Sequence, residues 1–131
     1  MTAWRLGYTD ALEDLDADRI VAALADDVVI RVAVHDAPMH GKDTAHFLFT
    51  VLADELGPLR PTQEIVDGGD AVVLFETSIA DHVAQGLNVV IFDASGTVRE
   101  LTVFFRPLVA LQRIAEVIGA RMAARFGPAP Q

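Results

Sequence analysis

The stretch "FDASGTVRELTVFFRPL", Phe92 to Leu108, decides the fold. From Thr97 to Arg106 it alternates. Leu101, Val103 and Phe105 fall on one face, and Glu100, Thr102, Phe104 and Arg106 on the other. An all-apolar face opposite a mixed one is the mark of a strand with helices on one side. "DASG" at 93–96 reads as a tight hairpin turn, so the preceding strand runs antiparallel. Pro107 then ends the strand, and "LVALQRIAEVIGARMAARF" (108–126) has the period of an amphipathic helix stopped by Gly127.

Working backwards, "TQEIV" (62–66), "AVVLFETSI" (71–79) and "HVAQGLNVVIFD" (82–93) are the other strands of this half. "DGGD" at 67–70 and a short link at Ala80 and Asp81 make them consecutive antiparallel neighbours. The first half is helical. "WRLGYTDALEDL" (4–15) puts Trp4, Tyr8, Leu12 and Leu15 on one helix face. Asp16 is placed to cap a second short helix over 17–25, and "VVIRVAV" (28–34) is a strand. "HDAPMHG" (35–41) is loop, and 42–56 is a helix ended by Gly57-Pro58. Helices first and an antiparallel meander later make an α+β domain over residues 1–127, followed by a disordered tail at 128–131.

Composition narrows the function. The chain has 131 residues, 52% of them hydrophobic, enough for one sizeable core. Its formal charge of −9 argues against nucleic acid and anionic membrane surfaces as partners. It has no cysteine, which removes disulfides, thiolate catalysis and Cys-ligated zinc. With no leader and no long apolar run, the expectation is a soluble cytoplasmic protein.

The strand phases pick out single residues. Asn88 is in phase with Val90 and Phe92, a polar group on an apolar wall. A buried amide left unpaired costs about 1–3 kcal/mol, so Asn88 needs a partner, and Tyr8 on the first helix is the natural one. Glu76 falls on the outer face, where a paired surface residue is the expected reading. Val72, Leu74 and Phe104 make that outer face apolar enough to require a cover. The C-terminal helix or a second subunit would supply it, and a homodimer is expected. Among the histidines, His35 with Asp36, and His40, sit in one loop. A histidine paired with a carboxylate is a candidate base. No spacing suits a metal site, and no cofactor is implied.

"YTDALEDLDADRIVAALADDVVI", then Gly41 before a helix, then "FDASGTVRELTVFFRPL", together resemble the nuclear transport factor 2-like superfamily. The nearest likeness is to SnoaL-like proteins whose last strand ends in Arg-Pro-Leu, as Arg106-Pro107-Leu108 does. That superfamily includes ketosteroid isomerases, polyketide cyclases and limonene epoxide hydrolase. The resemblance implies a strongly curved antiparallel sheet forming a cone, closed by the N-terminal helices and followed by a C-terminal helix. It also implies an apolar pocket. In the isomerases that pocket holds a carboxylate base and an oxyanion hole of tyrosine and protonated aspartic acid. Carried onto this chain, the tyrosine falls on Tyr8, the aspartic acid on Asn88 and the base on Val32. Val32 cannot take a proton. Arg31 and Arg99 show no in-phase acidic partner for the hydrolase arrangement.

The sequence therefore points to a protein that binds a small, mostly apolar or polycyclic molecule in an internal pocket. Tyr8 and Asn88 would anchor a polar atom, and Trp4, Val32, Leu48, Val90, Val103 and Phe105 would form the walls. One alternative is an isomerase-, cyclase- or hydrolase-type enzyme using His35 and Asp36 with a Tyr8/Asn88 oxyanion site. Another is a non-catalytic dimerisation or interaction domain whose cone is filled by side chains.

Overall fold

A computed structural model of the chain describes residues 6–127. Trp4 and the tail at 128–131 lie outside the described residues. The elements are α1 (Gly7–Glu13), α2 (Ala17–Ala22), β1 (Leu24–Arg31), β2 (Met39–His40), α3 (Lys42–Glu55), β3 (Arg60–Asp67), β4 (Asp70–Ile79), β5 (His82–Phe92), β6 (Val98–Arg106) and α4 (Leu108–Phe126). They form an α+β domain around one six-stranded sheet in the order β2-β1-β6-β5-β4-β3. β3 to β6 are the antiparallel meander. β1 joins β6 in parallel and carries the two-residue β2 on its outer edge.

Local chemistry explains most boundaries. The Asp16 side chain accepts the Arg19 N–H at 3.2 Å and caps α2. α1 has no cap of its own. Glu64 of β3 reaches across instead, accepting the Leu6 N–H at 3.2 Å and the Thr9 hydroxyl. The second helix stops three residues earlier than its periodicity suggests, and β1 starts at Leu24. The reason is tertiary: Leu24 pairs with Val98, and the Val98 N–H donates to the Ala23 carbonyl at 2.9 Å. β1 also ends earlier, so Val32 to Val34 belong to a loop that doubles back to β2.

Gly68–Gly69 and Ala80–Asp81 are two-residue hairpin loops. The "DASG" turn is a longer loop, 93–97, between Phe92 and Val98. The Asp93 carboxylate organises it by accepting from the hydroxyls and N–H groups of Ser95 and Thr97. Those bonds, the Ser95 and Thr97 hydroxyls first, hold its pKa down at about 2.

The sheet has the two faces that alternation predicts. Val73, Phe75, Thr77 and Ile79 of β4 are buried, as are Asn88 and Val90 of β5 and Leu101 and Val103 of β6. Gly86 pairs with Phe75 on one side and Phe105 on the other, and those two rings meet edge-on with centroids 5.6 Å apart. A Cβ at Gly86 would lie 2.5 Å from the Phe75 ring and 2.7 Å from the Phe104 carbonyl oxygen, so only glycine fits. α3 buries Leu48, Phe49 and Leu52 in the same core.

α4 takes a different place from one of those expected for it. Ile114 and Ile118 are buried on the inner side, in the company of Val103 and Phe105. Among the described residues the outer face keeps no helix. The reason is area: the three earlier helices leave the β6 end of the inner face bare, and the apolar stripe of α4 covers it.

Candidate functional site

Between α4 and the sheet lies a cavity of about 320 Å³. Its floor is Val103 and Phe105 of β6, and one wall is Leu48 and Leu52 of α3. The opposite wall is a stripe along α4: Ile114, Ile118, Met122 and Phe126, four residues apart each time and so one helix face. The third side is the loop from Val32 to His40, with Val32, His35 and Met39 facing the cavity.

α4 is held over this space near its C-terminal end. The Arg121 guanidinium donates to Asp54 at 3.0 Å and to Glu55 at 3.1 Å, both at the end of α3. Phe47 and Phe126 stack edge-on with centroids 5.5 Å apart, and the Arg125 guanidinium lies 5.6 Å from each ring centre.

Four of the wall residues anticipated from sequence (Val32, Leu48, Val103 and Phe105) line the cavity. Val90 does not. It is fully buried one strand further in, paired with Ala71 and Leu101. The four α4 residues were not anticipated because that helix was considered only as one possible cover of the outer face, although its spacing of four was visible.

Tyr8 and Asn88 come together, but away from the cavity. The Asn88 amide nitrogen donates to the Tyr8 hydroxyl at 2.8 Å, and both residues are 2% exposed. Neither lines the cavity. The Asn88 carbonyl oxygen is buried and has no partner among the described residues. Burial pushes the Tyr8 phenol well above its ordinary range, and the Asn88 hydrogen bond pulls weakly the other way.

The histidine pair is not assembled. His35 faces the cavity, but Asp36 is exposed and no hydrogen bond joins the two. Nδ1 of His35 is shut off from solvent and has no partner among the described residues. His40 also faces the cavity, whereas His46 bonds Asp18 on the surface at 2.7 Å and His82 lies at the far hairpin. Glu76 pairs with Arg60 on the outer side, in keeping with its phase. Arg31 and Arg99 do have an acidic partner, Glu100, which both reach (2.9 and 2.6 Å). That cluster sits at the surface, away from the cavity. Among the described residues no group of three or more His, Cys, Asp or Glu is gathered to hold a metal, and no helix is long and apolar enough to cross a membrane.

The fold recurs in solved structures. An uncharacterised protein from Silicibacter pomeroyi, described as having a cystatin-like fold, superposes with a TM-score of 0.84 at 20% identity over 92% of this chain and 86% of that one. A steroid delta-isomerase from Pseudomonas aeruginosa superposes with 0.81 at 20% identity, over 91% and 88%. A protein of ketosteroid isomerase-like fold from Catenulispora acidiphila, solved with trimethylamine, gives 0.65 at 9% identity, over 82% and 88%. This chain has the ketosteroid isomerase-like, or nuclear transport factor 2-like, fold. At these identities the likeness establishes the fold alone. No family model and no curated protein matches the sequence. Within this fold, the position that the resemblance assigns to the isomerase base is Val32, an apolar wall residue.

Tyr8 is the chain's one tyrosine, so its titration is readable alone. The unfolded chain releases the phenol proton at about pH 10, while the folded chain keeps it to higher pH. Its contribution to stability is therefore whole below about pH 10 and falls as pH rises beyond it. Phenolate absorbance should appear together with unfolding, and phenolate in a still-folded chain near pH 10 would contradict this. Tyr8→Phe should cost about 1–3 kcal/mol in denaturant melts, because the Asn88 amide loses its partner.

Proposed function

We propose that the protein binds a small, mostly apolar molecule in the cavity under α4 and performs no isomerase-type proton abstraction at Val32. One observation carries this: an open cavity of about 320 Å³ whose floor and two longest walls are apolar side chains. That volume lies in the range of about 300 Å³ or more typical of ligand pockets. A cone serving only as an interaction scaffold has no use for such a space and would be filled by side chains. Tyr8 and Asn88 act here as a buried structural pair rather than as anchors of a ligand.

The direct check is binding of an uncharged fluorescent probe such as N-phenyl naphthylamine. Leu48→Trp and Val103→Trp each put an indole into the cavity and should weaken binding by about tenfold or more. Circular dichroism confirms that the variants are folded. Unchanged affinity in both would place the probe elsewhere and sink the proposal.

The same reading includes a second copy of the chain as partner. On the outer face Ile65, Val72 and Val89 form one row across β3, β4 and β5, and Leu74, Leu87 and Phe104 form the next across β4, β5 and β6. Ile65 is 49% and Phe104 51% exposed. The flanking rows carry charges of both signs: Arg60, Glu76 and Arg106 on one side, and Asp67, Asp70 and Glu100, with Arg31 on Glu100, on the other, a polar rim around an apolar centre. Sedimentation should give a dimer that Phe104→Asp converts to a monomer. A monomeric wild type at micromolar concentration would rule the dimer out.

A further inference from the structure

The charges on the outer face of the sheet fall in rows. On one side of the two apolar rows, the register lines up Arg60, Glu76, Gln85 and Arg106 across β3 to β6. On the other side it lines up Asp67, Asp70, Ile91 and Glu100. The first row has two arginines to one glutamate and is positive. There Arg60 pairs with Glu76, and Arg106 bonds the neutral amide of Gln85. The second row has three carboxylates and is acidic, although Arg31 and Arg99 both reach Glu100. Asp67 and Asp70 are register partners, two carboxylates side by side.

The order positive, apolar, apolar, acidic matches a second copy of itself after a half turn. In a face-to-face contact of two copies, the two-fold axis lies in the plane between the sheets. An axis along the strands turns each row onto itself. Arg106 of β6 would then lie over Arg60 of β3, and Asp67 over Glu100, so like charges meet at both corners. A diagonal axis brings either Arg60 or Arg106 onto its own copy. An axis along the rows, across the strands, turns the positive row onto the acidic one. Arg106 then lies over the partner's Glu100, and Arg60 over the partner's Asp67. Glu76 meets the partner's Asp70, a contact that Arg60 beside it offsets.

The apolar rows exchange in the same turn, with Leu74 over the partner's Val72. A groove of about 260 Å³ lies between the positive row and its apolar neighbour, beside Gly86. It takes the partner's Ile91, the uncharged member of the acidic row. Aligned sheets cross by about 30°. That crossing shifts the corners by roughly 5 Å, one strand spacing, which an arginine side chain spans.

We infer that two copies of the chain pair across this face with the two-fold axis running across the strands, between the two apolar rows, so that Arg106 faces the partner's Glu100 and Arg60 the partner's Asp67. This rests on the reading of a second copy as partner and gives that dimer its register.

The test measures the dimer dissociation constant of the full chain by sedimentation. Arg106→Glu sets two carboxylates against each other at both ends of the interface and should weaken the dimer about tenfold or more. Glu100→Arg should weaken it likewise. A 1:1 mixture of the two variants should dimerise nearly as tightly as wild type, because the mixed dimer holds one native and one reversed pair. Glu100 also holds Arg31 and Arg99, so its variant may fold poorly. Arg60→Glu mixed with Asp67→Arg tests the other corner in the same way. An axis along the strands would instead make Arg106→Glu tighten the dimer. A tightened or unchanged dimer in Arg106→Glu, or a mixture of folded variants no tighter than its components, would overturn the inference while leaving the dimer intact. A wild type that stays monomeric would overturn both.

Discussion

Asn88 stands on an otherwise apolar strand face, between Val73 of β4 and Val103 of β6, and its amide donates to the hydroxyl of Tyr8. A buried amide without that partner is costly, so the bond decides where α1 can lie. Glu64 holds the same helix from the β3 side through Leu6 and Thr9. Together these contacts shut one end of the curved sheet with a buried polar pair, in which the Asn88 carbonyl oxygen has no partner among the described residues. The space that remains for a ligand is at the other end, beyond Val103, walled by α3 and α4 and not lined by α1 or α2.

The C-terminal helix shapes that space. A face of Val103 and Phe105 left to water would be an exposed apolar patch, and α4 covers it without filling it. The gap persists because α4 is supported at its ends. Ala110 and Ile114 anchor the start, and Arg121 on Asp54 and Glu55 anchors the end together with the Phe47–Phe126–Arg125 cluster. Close packing between those supports would demand larger residues than the small ones at Gly119 and Ala123. The cavity is thus a product of the same helix that protects the sheet.

Much of this was legible in the residues. The alternation of Leu101, Val103 and Phe105, the phase of Asn88 and the helical face of Tyr8 depend only on period and sterics, and all three hold in the structure. Two kinds of information were not local. The end of α2 and the start of β1 are set by Leu24 pairing with Val98, more than 70 residues on. The side of the sheet that α4 covers depends on how much inner face the other helices leave bare, which no periodicity states. The candidate site shifted for that reason: its floor was anticipated, and its α4 wall was not. Asp36 was paired with His35 by adjacency in sequence, but neighbours in a loop diverge, and the carboxylate faces solvent.

The central claim is that the ligand space lies under α4 and that the Tyr8–Asn88 end is closed. Xenon pressurisation of crystals of the protein tests it most directly, since xenon enters apolar cavities of this size. The account predicts xenon density between Leu48, Val103 and Ile118, with none beside Tyr8. Density beside Tyr8 and Asn88, with the space under α4 filled by side chains, would contradict it.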